Sequence, residues 1–250
     1  AIIGCGDIAN KRVAPAMVED ESSDLVAFFS NTPARAEEMR DRFGARKAYS
    51  DLDALLGDDE IDAVYIASPQ GRHCNETVRA AAAGKHVLCE KPMALSTHDA
   101  DAMITAARRN NRRLAVCFQN RFNAPVQRAR AAREAGRFGK MLHGMIQVRW
   151  NRDESYYKQA PWRGTWDLDG GTLMNQCTHG IDLLQWMMGE DAVRVQAATR
   201  RFLRPIEAED FGAAIVEFAS GAIGIIEGSA DVFPQNLNET LSLFGEKGTV

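Results

Sequence analysis

The sequence predicts an α/β protein of two domains: a doubly wound parallel sheet over residues 1–120, then an α+β domain on an open, mainly antiparallel sheet over 121–250. Three observations lead there. Up to about residue 118, apolar runs too short for helices alternate with segments of helical period, the pattern of strands joined by crossover helices. The first of those junctions carries a glycine turn, Gly4-Cys5-Gly6-Asp7-Ile8-Ala9. Beyond Gly136 the extended runs lengthen, and a Ser220-Gly221 pair between two of them signals a hairpin.

The elements follow in order. Ala1-Ile2-Ile3 is a buried strand, and the helix after the glycine turn runs to about Val18. Residues 25–29 form a second strand. The next helix, 33–43, has Pro33 at its start, where a missing N–H does no harm, and Gly44 beyond its end, where a left-handed residue closes the last turn. A short helix over 51–56, a strand over 63–67, a helix over 74–83 ended by Gly84 and a strand over 86–89 continue the alternation. Ser96 or Thr97 caps a helix reaching about Asn110, and 114–118 is a further buried strand. In the second half, strands are expected over 141–150, 193–202, 211–218, 222–227 and 239–244, antiparallel to one another. A polar-aromatic loop, 156–166, and one helix, 173–188, lie between the first two.

In this setting the glycine turn has a physical purpose. Gly4 permits the tight turn, Gly6 lets the backbone approach a pyrophosphate, and the small Ala9 lets helix and strand pack closely. Together with Asp7 and Ile8 they form the phosphate-facing helix start of a dinucleotide site. The second strand of such a site commonly ends in a carboxylate that bonds the adenosine ribose of NAD; here Ser30-Asn31-Thr32 stands instead, with Arg35 one helical turn on. Hydroxyl, amide and guanidinium groups suit a ribose 2′-phosphate, which favours NADP, and the first two also bond a ribose hydroxyl, which leaves NAD open. Ser68 and Pro69, after the strand 63–67, line the cofactor crevice. His73 beside them is a helix-start or cofactor-contacting residue, because nothing near it in sequence would orient its imidazole for catalysis.

Composition sets the outer limits. With 45% apolar content in 250 residues the chain buries a sizeable core, and its net charge of -4, from 34 acidic and 30 basic residues interspersed along it, leaves no basic stripe for nucleic acid or anionic lipid. Cys5, Cys74, Cys89, Cys117 and Cys177 show neither CxxC pairing nor metal-ligand spacing, so reduced thiols, no metal and a cytoplasmic location are expected. No apolar stretch is long enough to span a bilayer, and no signal peptide is visible. The chain starts inside a strand without methionine and stops in a hairpin, Gly245-Glu246-Lys247-Gly248-Thr249-Val250, so both ends read as trimmed.

The residues placed for chemistry are Lys91 and a polar stripe on the 173–188 helix. Lys91 stands between Glu90 and Pro92 directly after a strand. The proline restricts the residue before it and ends the ladder, so Lys91 leaves in a defined direction at a strand end, where ligands bind in open α/β sheets. Partial burial would lower its pKa toward proton transfer. Glu90 alternates to the other side of the strand and takes a structural role beside the cofactor. Asn175, His179 and Asp182 share one helix face. They form either the wall of a site or a satisfied histidine bonded by Asp182, and the presence of Lys91 favours the site.

Gly4-x-Gly6-x-x-Ala9, Glu90-Lys91-Pro92 and the run Gly170-Gly171-Thr172-Leu173-Met174-Asn175-Gln176-Cys177-Thr178-His179-Gly180-Ile181-Asp182 together resemble the Gfo/Idh/MocA oxidoreductases, named for glucose-fructose oxidoreductase and inositol dehydrogenase. The likeness extends through Trp162-Arg163-Gly164-Thr165-Trp166 and Gly245-Glu246-Lys247-Gly248, so it covers essentially the whole chain. It implies an N-terminal Rossmann domain, a C-terminal α/β domain whose open sheet joins a homodimer or homotetramer, and substrates that are sugars, cyclitols or nucleotide sugars. Family members are longer at the C-terminus, in keeping with a trimmed end.

The resemblance also implies that Lys91 and His179 flank the reacting carbinol, with Asn175 where relatives often carry an aspartate. An amide orients a hydroxyl but cannot accept its proton, so proton transfer falls to His179 or Lys91. The expected reaction is hydride transfer between nicotinamide and a secondary alcohol or ketone. His179 exchanges the proton, Lys91 polarises the oxygen, Asn175 positions it, and Arg121, Tyr156, Trp162 and Arg163 contact the substrate. Two rivals stand beside this. One is an NAD-dependent glycosidase acting by transient oxidation and elimination, with no net cofactor turnover. The other is a non-catalytic dinucleotide sensor, which would need no proton-transfer pair.

Overall fold

Side-chain alternation along very short strands organises the first half of the chain. The computed structural model describes residues 1–250, which divide into two units, Ala1–Cys117 and Phe118–Val250. In the first, β1 (Ile2–Ile3), β2 (Ala27–Phe29), β3 (Lys47–Tyr49), β4 (Ala63–Ile66), β5 (His86–Cys89) and β6 (Leu114–Val116) form a parallel sheet ordered β3-β2-β1-β4-β5-β6. Successive residues enter opposite cores. Ile2, Phe28 and Tyr65 pack with Ala14 of α1 (Ala14–Glu19) and with Ala36 and Met39 of α2 (Pro33–Phe43). Ile3, Phe29, Val64 and Ile66 pack on the other side with Leu55 of α3 (Leu52–Leu56), Ala80 of α4 (His73–Ala82) and Met103 of α5 (Thr97–Arg109). Both faces are therefore covered, and each fully buried Ile or Phe adds about 1.5–3 kcal/mol. The strand order reverses between β1 and β4, which opens a crevice at their carboxyl ends.

Two local features depart from the expectations for this unit. The first helix starts at Asp7, directly after Gly6, and passes through a π-helical turn, Ala9–Val13, before continuing as α1. The edge strand β3 escapes notice because Lys47-Ala48-Tyr49 is brief, partly exposed and led by a charge. Capping follows the sequence closely: Gly44 closes α2 at φ 71°, and Ser96 accepts the N–H of Asp99 to start α5.

The second unit comprises α6 (Ala124–Glu134), β7 (Met141–Arg149), α7 (Glu154–Lys158), α8 (Gly171–Asn175), α9 (Thr178–Met188), β8 (Ala192–Arg200), β9 (Phe211–Phe218), β10 (Ile223–Ser229) and β11 (Asn238–Gly245). Its five strands are ordered β11-β7-β10-β9-β8. α9 packs on one face of this sheet, where Leu184, Met187 and Met188 join Ile146, Val148, Val216 and Phe218 in a core.

Here too the structure amends the sequence reading. β10 leaves its hairpin with β9 and inserts beside β7, with which it runs parallel, so the sheet is mixed although mostly antiparallel. Periodicity specifies which face a residue takes, not the direction of its neighbour. The expected helix 173–188 is two helices. Gln176 and Cys177 both turn their N–H groups back to Thr172 O, at 2.9 and 3.0 Å, and the chain leaves α geometry at a fully buried Cys177. α6 was not anticipated because it buries no residue of its own and lacks a strong apolar stripe. No helix is long and apolar enough to cross a membrane.

Two predictions arise. Gly4 has φ +103°, and a Cβ there would sit 2.8 Å from the Ala67 carbonyl. Gly4→Ala is expected to lower stability by about 2 kcal/mol or more, read in denaturant unfolding; an unchanged midpoint would contradict this. Glu76, 6% exposed, has its carboxyl pushed up to about 7 from 4.5 by burial, against the opposing hydrogen bond that Ser68 Oγ donates at 2.5 Å. A carboxyl raised in the folded state stabilises fully below its unfolded value and loses that contribution as pH climbs through about 7. Glu76→Gln should match the parent near pH 4 and exceed it by up to about 3 kcal/mol at pH 8, whereas a pH-independent difference would refute the assignment.

Candidate active site

In the first unit the carboxyl ends of β1, β2, β4 and β5 gather the residues singled out for the cofactor. At the glycine turn, a Cβ on Gly6 would meet nothing within 4 Å, so the turn leaves an open cradle, with fully buried Ala9 packed beneath it. That is the form a pyrophosphate needs at a helix start. Asp7 and Ile8 are exposed on its rim, and Asp7 pairs with Lys11 at 2.8 Å. After β2, Ser30 Oγ accepts the Thr32 N–H at 3.1 Å, a local turn through Asn31 that leads into α2. Burial pushes the Cys5 thiol up to about 11, and the Arg35 charge pulls the other way, so Arg35 acts electrostatically on the glycine turn. The group fits a dinucleotide: the cradle would take the pyrophosphate, and Ser30, Asn31, Thr32 and Arg35 the adenosine ribose.

The loops after β4 and β5 are tied together by His73. It is fully buried at the start of α4, with Nδ1 2.8 Å from Pro92 O and Nε2 3.0 Å from Ser68 O, and burial lowers its pKa. The imidazole has no exposed surface and stands at the first residue of α4, the helix-start position expected of it. Ser68 keeps its place at the crevice, but its hydroxyl proton is committed to Glu76. Pro69 opens the short turn Gln70–Arg72. Glu90 accepts from Tyr65 Oη at 2.6 Å and from the Lys91 N–H at 3.1 Å, in keeping with a structural role beneath Lys91. Lys91 itself is partly buried, and its bond to Pro92 is cis.

In the second unit the break between α8 and α9 puts Asn175 and His179 on successive helices instead of one face. Both are buried, at 7% and 8% exposure. The side chain of Asn175 is held by Asp169, itself 2% exposed: Asp169 Oδ1 accepts from Asn175 Nδ2, and Oδ2 accepts the Gly164 N–H at 2.6 Å. A carboxylate only accepts, so the amide turns its NH₂ to Asp169 and keeps its oxygen as the other branch. Glu209 fixes the start of α8. Its Oε1 accepts the Leu173 N–H at 2.9 Å and its carbonyl the Thr172 N–H at 3.1 Å. Gly171 sits at φ +85°, where a side chain is strained, and a Cβ there would press on the Glu209 carboxylate.

His179 Nε2 lies 3.1 Å from Gln119 Nε2, and the Phe118 ring meets the imidazole edge-on at 6.1 Å between centroids. The Gln119 side-chain amide is therefore the neighbour of Nε2, and which ring nitrogen carries the proton follows from the tautomer. Asp182 does not bond His179. It takes Arg121 in a two-pronged pair at 2.7 and 2.5 Å, and Arg121 also lies over the Phe118 and Trp186 rings. Arg121, expected to contact substrate, is therefore committed within its own unit. Tyr156, Trp162 and Arg163 do come together: the Arg163 guanidinium sits 4.0 Å from the Tyr156 ring centroid and 5.1 Å from that of Trp162. Gln176 Nε2 donates to Tyr156 Oη at 2.9 Å.

Sequence reasoning missed Asp169, Gln119 and Glu209. The first had a signal, since it lies in the same short run as Asn175, six residues before it. The other two are brought in only by tertiary packing.

Residues 1–118 match the oxidoreductase family with an NAD-binding Rossmann fold, GFO/IDH/MocA, and residues 126–250 match the GFO/IDH/MocA C-terminal domain. The chain is 30% identical to oxidoreductase P35 of Formosa agariphila over 76% of its own length and 60% of that relative. It is 28% identical to myo-inositol 2-dehydrogenase of Thermotoga maritima, over 100% of this chain and 73% of the relative. It aligns at a TM-score of 0.95 and 37% identity with the WlbA dehydrogenase from Bordetella pertussis in complex with NADH and UDP-GlcNAcA, over 99% of this chain and 71% of that one. With both halves matched, and with the glycine turn, the Glu90-Lys91-Pro92 strand end and the α8–α9 pair all in place, the chain belongs to the GFO/IDH/MocA oxidoreductase family.

Proposed function

We propose that this chain is the core of an NAD(P)-dependent dehydrogenase that oxidises a secondary alcohol of a sugar, cyclitol or nucleotide sugar, or reduces the corresponding ketone. The observation that carries the reading is the amide–imidazole pair of α8 and α9, with Asn175 turned by Asp169 and His179 Nε2 beside the Gln119 amide. Relatives that are named inositol dehydrogenase, or were crystallised with NADH and UDP-GlcNAcA, support the substrate range.

The dinucleotide, when bound, supplies the hydride acceptor or donor. The protein's part is binding, orientation and proton transfer. Gly4, Gly6 and Ala9 shape the pyrophosphate cradle. His179 takes the carbinol proton in its neutral form, the Lys91 ammonium polarises the same oxygen, and Asn175 accepts a substrate hydroxyl through its amide oxygen. Ser30, Asn31 and Arg35, with no carboxylate at the end of β2, support use of NADP beside NAD.

We further infer that copies join through the second unit as a homodimer or homotetramer. All nine residues of β8 are exposed, Val193 and Val195 at 61% and 59%, and Ile215 of β9 at 53%. The five cysteines are free thiols, which supports a cytoplasmic setting.

The test is turnover by the full-length enzyme on a panel of sugars, cyclitols and nucleotide sugars, with NAD and NADP in parallel. Net reduction of cofactor is expected, and hydrolysis without it would favour the glycosidase instead. Lys91→Ala should lower kcat by roughly 10²–10⁴-fold while NADH binding, followed by fluorescence, stays within about threefold. Normal turnover by that variant would overturn the mechanism.

A further inference from the structure

Arg163 stands apart from the other partly buried arginines of the second unit. Arg121 is held by Asp182, Arg149 by Glu227 at 2.6 Å, and Arg204 by Ala230 O at 2.8 Å; Arg152 donates to Gln176 Oε1 at 3.0 Å. Arg163 forms no ion pair, and its Nε is buried without an acceptor; Arg133 shares the unpartnered Nε, but its guanidinium is tied down by the bond it donates to Met188 O at 2.8 Å. The carboxylates of the same region are committed elsewhere: Glu154 to Lys158, Glu207 to the Trp166 N–H, and Asp169 to Gly164 and Asn175. A buried donor left without an acceptor is costly, and folding alone does not remove the cost.

What holds the guanidinium in place is aromatic. It lies over the Tyr156 and Trp162 rings, while Arg152 approaches the same Tyr156 ring at 5.1 Å. Two cations around one ring repel each other, and an anion between or beside them would relieve that repulsion. The position is also coupled to the proposed chemistry, because the residue after Arg163, Gly164, donates its N–H to the carboxylate that turns Asn175.

We propose that Arg163, seated on Tyr156 and Trp162, is an anion subsite that receives a carboxylate or phosphate carried by the substrate, and that it makes an acidic sugar or a sugar phosphate ester the preferred substrate over a neutral sugar or cyclitol. This deepens the dehydrogenase reading and rests on it for the identity of the ligand as substrate. A planar guanidinium, fixed by stacking and presenting forked donors, matches both anions. A lysine there would keep the charge but lose the stacking and the fork.

The test uses the full-length enzyme saturated with NADH, or with NAD for turnover, and four probes: UDP-GlcNAcA, which carries carboxylate and diphosphate; UDP-GlcNAc, which carries diphosphate alone; glucuronate, which carries carboxylate alone; and neutral myo-inositol. Binding is measured by calorimetry and turnover by cofactor absorbance, for the parent, Arg163→Ala and Arg163→Lys, with the melting temperature as the check on folding. The parent should bind at least one anionic probe more tightly than myo-inositol. Arg163→Ala should weaken that binding about 10–100-fold, with Arg163→Lys between the two, and the probe most affected identifies which anion the subsite takes. Equal affinities of parent and Arg163→Ala for all three anionic probes, with the fold intact, would overturn the subsite. Anion binding that depends on Arg163 without turnover of any probe would uphold the subsite and count against the dehydrogenase reading.

Discussion

The buried carboxylate of Asp169 is the constraint on which the second unit's candidate site depends. One oxygen receives the Gly164 N–H and the other the Asn175 amide, so a single side chain sets both the loop at Gly164 and the amide at the end of α8. Its 2% exposure matters, because a charge so placed demands its donors. The consequence is directional. An amide whose NH₂ is held by an acceptor offers its oxygen to a hydroxyl, and on the proposed reading proton transfer then falls to the imidazole and the ammonium. Glu209 supports the same arrangement by closing the start of α8, at a glycine where a side chain would be strained.

A comparable economy of parts holds the first unit together at its crevice. Gly4 lets the turn after β1 pass against the Ala67 carbonyl, and His73 joins the loop after β4 to the loop after β5 through two backbone oxygens. The conformation of Ser68 and the approach to Lys91 are thereby linked. Beneath Lys91, Glu90 is occupied by the Tyr65 hydroxyl and the Lys91 N–H, which anchors the strand end from the sheet side. Rigid strand ends carrying polar side chains are what a positioned hydride transfer requires.

How much of this was legible in the sequence depends on whether the signal was local. The glycine turn, the Pro33 and Gly44 boundaries of α2, the Ser96 cap and the strand before Lys91 were readable because each is set by neighbours within a few residues. The parallel first sheet and the mainly antiparallel second were readable too, but the parallel pairing of β7 with β10 was not, because it comes from where the hairpin inserts. The break at Gln176-Cys177 was hidden because the apolar period runs on through it, while the buried cysteine and the double acceptance by Thr172 O are tertiary facts. For the same reason Arg121 read as a substrate contact. An arginine opposite Asp182 differs from a functional one only in what the fold brings beside it. Lys91, His179, Tyr156 and Arg163 were singled out by residue type and motif, whereas the groups packed beside them are seen only in the structure.

The most direct measurement of the central claim is side-chain amide hydrogen exchange at Asn175, followed by NMR on the full-length protein labelled at asparagine, in the parent and in Asp169→Ala. If Asp169 turns and holds the amide, the Asn175 NH₂ protons exchange at least about tenfold more slowly in the parent than in the variant. Equal exchange in two equally folded proteins would mean that Asp169 does not orient Asn175, and the division of labour among Asn175, His179 and Lys91 would lose its structural basis.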